Sequence, residues 1–239
     1  DRDGNILIEL DESTILRHLS ILEDYEIQSV AIGYLHAFVN PIHEIRTREI
    51  LVNARPDLSI SLACEVAPEI REFERLSTAC ANAYVSPLMT SYLARLADEL
   101  KTQGFLCPFL LMTSGGGLTT LDTATRFPIR LVESGPAGGA ILAQRISEHL
   151  GLDRMLSFDM GGTTAKLCLI DDGKPLTSRS FEVDRVYRFK KGSGLPVRIP
   201  VIEMVEIGAG GGSIARIDKL QRIQVGPESA GSEPGPAAY

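Results

Sequence analysis

Ser157-Phe158-Asp159-Met160-Gly161-Gly162-Thr163-Thr164-Ala165-Lys166-Leu167-Cys168-Leu169-Ile170 is the stretch on which the reading of this chain turns. An apolar run (Met155, Leu156, Phe158) ends in an aspartate, and two glycines and two threonines follow. A second apolar run then leads into Asp171-Asp172-Gly173-Lys174. That order predicts a strand, a tight Gly-Gly-Thr turn, a second strand, and another turn into residues 175–183. The adjacent glycines are expected to take positive φ and aim successive N–H groups at one spot. The Thr163 and Thr164 hydroxyls add donors there. Asp159, at the mouth of the strand, suits a Mg²⁺ held through water or the orientation of a nucleophile. Such a turn holds a phosphate without a helix-type P-loop, although an ordinary glycine-turn hairpin has the same spacing.

Around this stretch, 19 of the 22 glycines lie between Gly115 and Gly235, so backbone-contact chemistry is expected in that half. An apolar strand, Phe109-Leu110-Leu111-Met112, empties into Thr113-Ser114-Gly115-Gly116-Gly117. Glu133-Ser134-Gly135-Pro136-Ala137-Gly138-Gly139 precedes a helix carrying Ile141, Leu142, Ile146 and Leu150. A glycine-rich entry to a helix is either an anion site or a means of close helix–sheet packing, and the sequence leaves both open. Residues 184–200 carry Arg185, Arg188, Lys190, Lys191 and Arg198 with no acid after Asp184, and Gly192-Ser193-Gly194 suggests a mobile loop. A solvated basic loop and a phosphate-neutralising one both fit that composition.

Residues 201–207 read as a strand running into Gly208-Ala209-Gly210-Gly211-Gly212-Ser213. Gly210, Gly212 and Ala215 match the dinucleotide fingerprint in form. That fingerprint needs a helix next, whereas residues 214–218 and 222–225 alternate as strands do, so the Rossmann reading is excluded. Neither a P-loop nor a Gly-x-Ser-x-Gly elbow occurs.

The first 110 residues read as alternating helices and strands. Asp11-Glu12-Ser13 caps a helix bearing Ile15, Leu16, Leu19 and Leu22. Strands are expected at 29–35 and 58–65, with helices from after Pro41 to Asn53, over 67–76 with Pro68 in the first turn, and over 89–100. The apolar stripe of the last helix reads as core, and His36 and His43, separated by Pro41, read as structural. Alternation of this kind predicts an α/β layer with some parallel pairing.

Composition narrows the classes. The chain has 239 residues, 44% hydrophobic and 23% charged, ordinary values for a globular protein with a sizeable core. A net charge of −7 gives no electrostatic case for nucleic acid or an anionic membrane, and no apolar run is long enough to span a bilayer. Cys64, Cys80, Cys107 and Cys168 form no Cys-x-x-Cys pair and suit a reducing cytoplasm. The four histidines have no metal-ligand spacing. A start at Asp1 without methionine, and an end within a Pro/Gly-rich run, suggest a piece of something longer.

Two glycine-rich elements that each follow a strand, about fifty residues apart, suit a nucleotide: one gripping phosphates, the other closing on the adenosine face. Together with Thr113-Ser114-Gly115-Gly116-Gly117-Leu118, Glu133-Ser134-Gly135-Pro136-Ala137-Gly138-Gly139 and Val225-Gly226-Pro227-Glu228-Ser229-Ala230-Gly231, they resemble the hydantoinase A / 5-oxoprolinase family. Leu35-His36 with Asn40-Pro41 and His43-Glu44, Glu69-Ile70-Arg71-Glu72, and Ala81-Asn82-Ala83-Tyr84-Val85 extend the resemblance over nearly the whole chain, in order. The family includes N-methylhydantoinase A subunits and the ATP-using subunits of acetone and acetophenone carboxylases.

The resemblance implies an α/β fold of the actin-like ATPase, sugar-kinase (ribonuclease H-like) type, incomplete here. It divides the chain into a flanking α/β segment, 1–110, and a glycine-rich nucleotide core, 111–239. It implies ATP and Mg²⁺, with phosphorylation of a carbonyl oxygen of a cyclic amide before hydrolytic opening, or of a ketone enolate before carboxylation. A non-catalytic actin-like scaffold is the third possibility. The family resemblance gives Asp159 the catalytic and Mg²⁺-holding place, Gly161, Gly162, Thr163, Thr164 and Lys166 the phosphates, and Gly208, Gly210, Gly211, Gly212 and Ser213 the adenosine. Glu133, Ser134, Gly135, Gly138 and Gly139 become candidates for a substrate or anion. A hydantoinase B-type partner subunit or domain is implied, in the cytoplasm, with no nucleic acid and no membrane.

Family members carry a first Asp-x-Gly-Gly-Thr element near the N-terminus, ahead of anything here, so the chain resembles the middle of the large subunit. On that reading it binds ATP weakly, if at all, and does not turn it over alone. Two departures stand out. Ala237-Ala238-Tyr239 occupies the place of the family's Ala-Cys-Tyr, and Lys166 stands where many hydantoinase-type members have aspartate, which keeps the carboxylase branch in view.

Overall fold

The structure, a computed structural model, describes residues 1–187, 190 and 192–235. Arg188 and Lys191 of the basic loop, and Ala237-Ala238-Tyr239, lie outside the described residues. In chain order the elements are α1 (Glu12–Asp24), β1 (Ser29–Ile32), α2 (Ile42–Ala54), β2 (Ser59–Leu62), α3 (Ala63–Val66), α4 (Glu72–Thr102), β3 (Leu110–Met112), β4 (Leu118–Thr120) and α5 (Leu121–Arg126). A 3₁₀ turn (Pro128–Leu131) leads to α6 (Ser134–Leu150), β5 (Arg154–Met160), β6 (Ala165–Asp171), β7 (Lys174–Pro175), β8 (Thr177–Ser178), β9 (Phe181–Val183) and β10 (Leu195–Val197). The chain continues through β11 (Val201–Ile202), β12 (Val205–Ile207), β13 (Ser213–Ile217) and β14 (Ile223–Ser229). It is a mixed α/β fold with two compact units.

Unit 1 comprises residues 1–113, 117–132 and 179–200. Its β1 and β2 pair in parallel from Ser29↔Ser59 to Ile32↔Leu62, as the alternating pattern predicts. Ile15, Ile32, Ile50, Leu51, Leu58 and Leu62 form the core over which α1 and α2 pack. Just past the carboxyl ends of both strands sits Glu44, wholly buried. Its carboxylate accepts the Tyr34 N–H (3.0 Å) and the Cys64 N–H (2.7 Å), one from each strand exit. The guanidinium of Arg75, also wholly buried, donates to Glu44 (3.3 Å) and to the Tyr34 carbonyl (2.6 Å). Burial and the Glu44 carboxylate push the Cys64 thiol up to about 12, which keeps it protonated and unreactive.

Several expected boundaries shift, each for a local reason. The strand expected to 65 ends at Leu62 because α3 begins there. Residues 67–71 do not form the expected helix. The Ala67 N–H closes α3 on the Ala63 carbonyl, and Arg71, at φ 80°, interrupts the chain before α4. The helix expected at 89–100 is the second half of the 31-residue α4, which runs straight through Pro87. Proline has no N–H for the carbonyl four residues back, and in α4 the Ser29 hydroxyl of β1 donates to that Ala83 carbonyl (2.7 Å) instead. Buried Asn82 donates to Ser61 Oγ and the Arg126 carbonyl and accepts the Ile129 N–H, joining α4 to β2 and the 3₁₀ turn. In the basic stretch, β9 and β10 pair, Arg185 bonds Glu182 (2.9 Å), and Arg198 lies 3.8–3.9 Å from Glu74 and Glu69.

Unit 2 comprises residues 114–116, 133–178 and 201–239. The expected hairpin is present: β5 pairs antiparallel with β6 from Arg154↔Asp171 to Met160↔Ala165, and β12 adds to the other edge of β6. The strand expected at 201–207 is two pieces, β11 and β12. Ala137 and Ala140 of α6 pack with Cys168 and Ile202 on one face of the sheet. These alanines make the close approach, and a Cβ on Gly135 or Gly139 would meet nothing within 4 Å. α6 itself begins at Ser134, so the glycine-rich entry is the first turns of the helix.

Positive φ, expected at the hairpin turn, is absent at Gly161 and falls on Gly173 at the following turn. Glycine serves backbone contact instead. The Gly211 and Gly212 N–H groups donate to the Gly161 and Gly162 carbonyls (2.9 and 2.7 Å). A Cβ on Gly210 would stand 2.7 Å from the Gly161 and Gly162 carbonyl oxygens. One on Gly212 would be 2.9 Å from the Gly162 oxygen and 3.1 Å from that of Gly231. β13 and β14 follow as an antiparallel pair, the strands that rule out a Rossmann helix.

Three outcomes are expected. Glu44→Gln leaves Arg75 buried without its counter-charge and should cost about 3–5 kcal/mol in urea unfolding, with part recovered on adding Arg75→Met. Gly210→Ala should destabilise by roughly 1–3 kcal/mol in the same assay, while Gly139→Ala, mid-helix and unobstructed, should be neutral or stabilising by up to about 1 kcal/mol. Hydrogen bonds from the Ser13 and Thr14 hydroxyls hold the carboxyl of Asp11, the cap of α1, down at about 2 from 3.8. A depressed folded value gives stability that is complete above about 4 and lost as pH falls toward 2. Hydrogen-exchange protection of α1 should therefore fall across that window, and much less in Asp11→Asn.

Candidate functional site

The chemistry-bearing residues of unit 2 gather where the β5–β6 hairpin turns. The Gly161 N–H donates to the Thr164 carbonyl (3.0 Å), closing a turn over residues 161–164. Met160 ends β5 and Ala165 starts β6, so Gly161, Gly162, Thr163 and Thr164 make the whole connection. Asp159 is exposed, and among the described residues neither its carboxylate nor the Thr163 and Thr164 hydroxyls have a hydrogen-bonding partner.

The second glycine element lies directly against this turn. Within it the Gly210 N–H donates to Ser213 Oγ and the Ser213 N–H to the Gly210 carbonyl (both 3.0 Å). The Gly212 carbonyl takes the Ala230 N–H (2.7 Å), which brings in the Val225–Gly231 stretch. Three separated glycine-rich segments thus meet in one place. Most N–H groups of the Gly208–Ser213 element are spent on protein, so what it offers a ligand is a side-chain-free surface rather than a nest of donors. Thr113-Ser114-Gly115-Gly116-Gly117 does not join them. Gly116, at φ 82°, packs where a Cβ would meet Ile141 at 2.7 Å and Ile202 at 3.0 Å.

One rung of the sheet carries charge. In register, Glu206 of β12, Lys166 of β6 and Asp159 of β5 stand side by side on the face that α6 covers. The Lys166 ammonium is bonded to the Glu133 carboxylate and lies 3.8 Å from Glu206. Glu133 immediately precedes α6 in the left-handed conformation (φ 60°, ψ 19°), which costs a non-glycine residue roughly 1–2 kcal/mol. Its side chain caps no helix N–H and goes to Lys166 instead. Glu206 is the participant that sequence reading passed over. Its signal was a single acid between the apolar Val205 and Ile207 of a short strand.

Of the remaining sequence candidates, Ser134, Gly135, Gly138 and Gly139 lie in the first turns of α6, beside Glu133. His36 and His43 belong to unit 1. The His36 N–H bonds Glu72 (2.9 Å), and the His43 ring stands edge-on to Tyr34 at 5.9 Å. Among the described residues no group of three or more His, Cys, Asp or Glu side chains could enclose a metal ion, and no helix is long and apolar enough to cross a membrane.

Comparison with known proteins identifies the family. Residues 75–239 match the family model described as hydantoinase/oxoprolinase, and residues 1–54 its N-terminal region. An uncharacterised protein of Methanocaldococcus jannaschii is 41% identical over all of this chain and 36% of its own length. The caprolactamase subunit alpha of Pseudomonas jessenii is 34% identical over 99% of this chain and 33% of its own. The crystal structure of the ATP-dependent caprolactamase from that organism superimposes with a TM-score of 0.78 at 32% identity, over 99% of this chain and 33% of the other. Nucleotide-free acetone carboxylase gives 0.75 at 27% identity, over 97% of this chain and 32% of the other. The chain spans about a third of the length of these relatives. With its motifs in order along nearly every residue, the chain belongs to the hydantoinase/oxoprolinase family.

Proposed function

We propose that the protein carrying this chain uses ATP with Mg²⁺ to activate the carbonyl of a cyclic amide for hydrolytic ring opening, on an actin-like ATPase core. The observation that carries this reading is an unpaired, exposed Asp159 beside a glycine–threonine turn whose hydroxyls are also unpaired. Similarity to the caprolactamase subunit alpha favours an amide over a ketone. In this reading residues 111–239 form the nucleotide core and 1–110 its flank.

The residues fit the ligand. The turn of Gly161, Gly162, Thr163 and Thr164, closed by the Gly161 N–H on the Thr164 carbonyl, presents the backbone of Gly162 and Thr163 and the two threonine hydroxyls to phosphate oxygens, with Lys166 supplying the nearby positive charge. The bare surface of Gly208, Gly210, Gly211, Gly212 and Ser213 accepts the flat adenosine. Asp159, whose carboxylate has no partner among the described residues, suits a Mg²⁺ that keeps most of its waters, and it orients the attacking group. When bound, Mg-ATP supplies the phosphoryl group that makes the carbonyl oxygen a competent leaving group. Glu133, Ser134, Gly135, Gly138 and Gly139, at the start of α6, border the side on which a substrate or anion would lie. A partner subunit of hydantoinase B type completes the enzyme in a cytoplasmic setting. The carboxylase reading, with a ketone enolate as phosphoryl acceptor, is favoured by one observation: a lysine, Lys166, at the centre of the charged rung.

The test is Asp159→Ala in the intact enzyme, assayed for ATP hydrolysis stimulated by hydantoin, 5-oxoproline, caprolactam or acetophenone. Turnover should fall by about a hundredfold or more, with stability changed by less than about 0.5 kcal/mol, since the side chain is exposed and unpaired. Full turnover by the variant would remove Asp159 from the mechanism. Stimulation by the ketone alone would move the protein to the carboxylase branch.

A further inference from the structure

Lys166 faces Asp159 directly across the β5–β6 ladder, on the same side of the sheet. Cross-strand neighbours of opposite charge pair readily, and a lysine stem is long and flexible enough to do so here. Yet the ammonium is bonded to Glu133, and among the described residues the Asp159 carboxylate pairs with nothing. The lysine side chain is 17% exposed and that of Glu133 32%, so their contact is partly shielded from water. Glu206, on the far side of the rung from Asp159 and 54% exposed, adds a second, looser pull in the same direction. Glu133 reaches this place from another element, in a backbone conformation few non-glycine residues adopt, and its side chain forgoes capping α6.

We propose that Glu133 is a positioning residue: it draws Lys166 away from Asp159 and so keeps the Asp159 carboxylate free at the mouth of the turn. The inference rests on the reading of Asp159 as the reactive carboxylate, and it assigns Glu133 a task different from contact with substrate. An ammonium settled on Asp159 would occupy the oxygens that hold water or orient the attacking group. One settled on Glu133 keeps two further N–H donors for a phosphate oxygen arriving beside it. Three carboxylates surround one lysine, so its choice among them decides which acid is left unpaired.

The experiment is Glu133→Gln, which keeps size and hydrogen bonding and removes the charge, made alone and combined with Lys166→Met. In the intact enzyme, Glu133→Gln should lower kcat by about tenfold or more, because an ammonium settled on Asp159 takes away the group that orients the attacking atom. With Lys166→Met already present, the same change should have little further effect, there being no ammonium left to divert. Equal losses in both backgrounds would overturn the proposal, as would an unaltered kcat. A crystal structure of the Glu133→Gln chain gives an answer that needs no activity. Lys166 Nζ within hydrogen-bonding distance of Asp159 is the expected result, and an ammonium still lodged at the start of α6 refutes it. If the intact enzyme shows no ATP turnover at all, the proposed function fails while this crystallographic outcome still decides the role of Glu133.

Discussion

Two stretches of backbone can lie against each other at hydrogen-bonding distance along their length only where side chains do not hold them apart. Gly210 and Gly212 meet that condition against Gly161 and Gly162, and unit 2 is arranged around the result. The contact fixes the hairpin turn to the loop that leads into β13, so the two elements move as one piece. The glycines thereby do structural work where the two stretches meet.

Unit 1 depends on a different device. Parallel strands expose unpaired N–H groups at their exits, and here the two are gathered by one carboxylate, Glu44, whose charge is met by Arg75. Such an arrangement contributes specificity of geometry more than net stability, because removing both charges from water costs much of what their attraction returns. Its value lies in fixing where β1 and β2 end relative to α4. Asn82 does the same for β2, α4 and the 3₁₀ turn with neutral groups.

Features that depend on near neighbours were legible in the sequence. The two apolar runs on either side of the Gly-Gly-Thr turn pointed to the hairpin, and the strand-like spacing after Ser213 excluded a dinucleotide-binding helix. Periodicity cannot report a charge that is buried because of a partner thirty residues away, so Glu44 and Arg75 passed unremarked as core. Nor can it say which backbone a glycine is sparing: Gly161 was read as a residue needing positive φ, whereas its neighbour in space, Gly210, is the one that needs the missing Cβ. Nor does spacing show that α4 continues through Pro87, since the carbonyl left by the proline is met by a hydroxyl from another element. The relation of Glu133 to Lys166 joins a helix start to a mid-strand residue, and no spacing rule connects them.

The compensation at Pro87 has a consequence for how sequences of this family can drift. Ser29 and Pro87 stand 58 positions apart, yet the hydroxyl at one is matched to the missing amide at the other. The serine can be lost at little cost only if the proline is lost with it. A lineage that lost the hydroxyl while keeping the proline would carry an orphaned carbonyl, and one that lost the proline would no longer need the hydroxyl. The two positions should therefore vary together among relatives, an inherited correlation written by a single hydrogen bond.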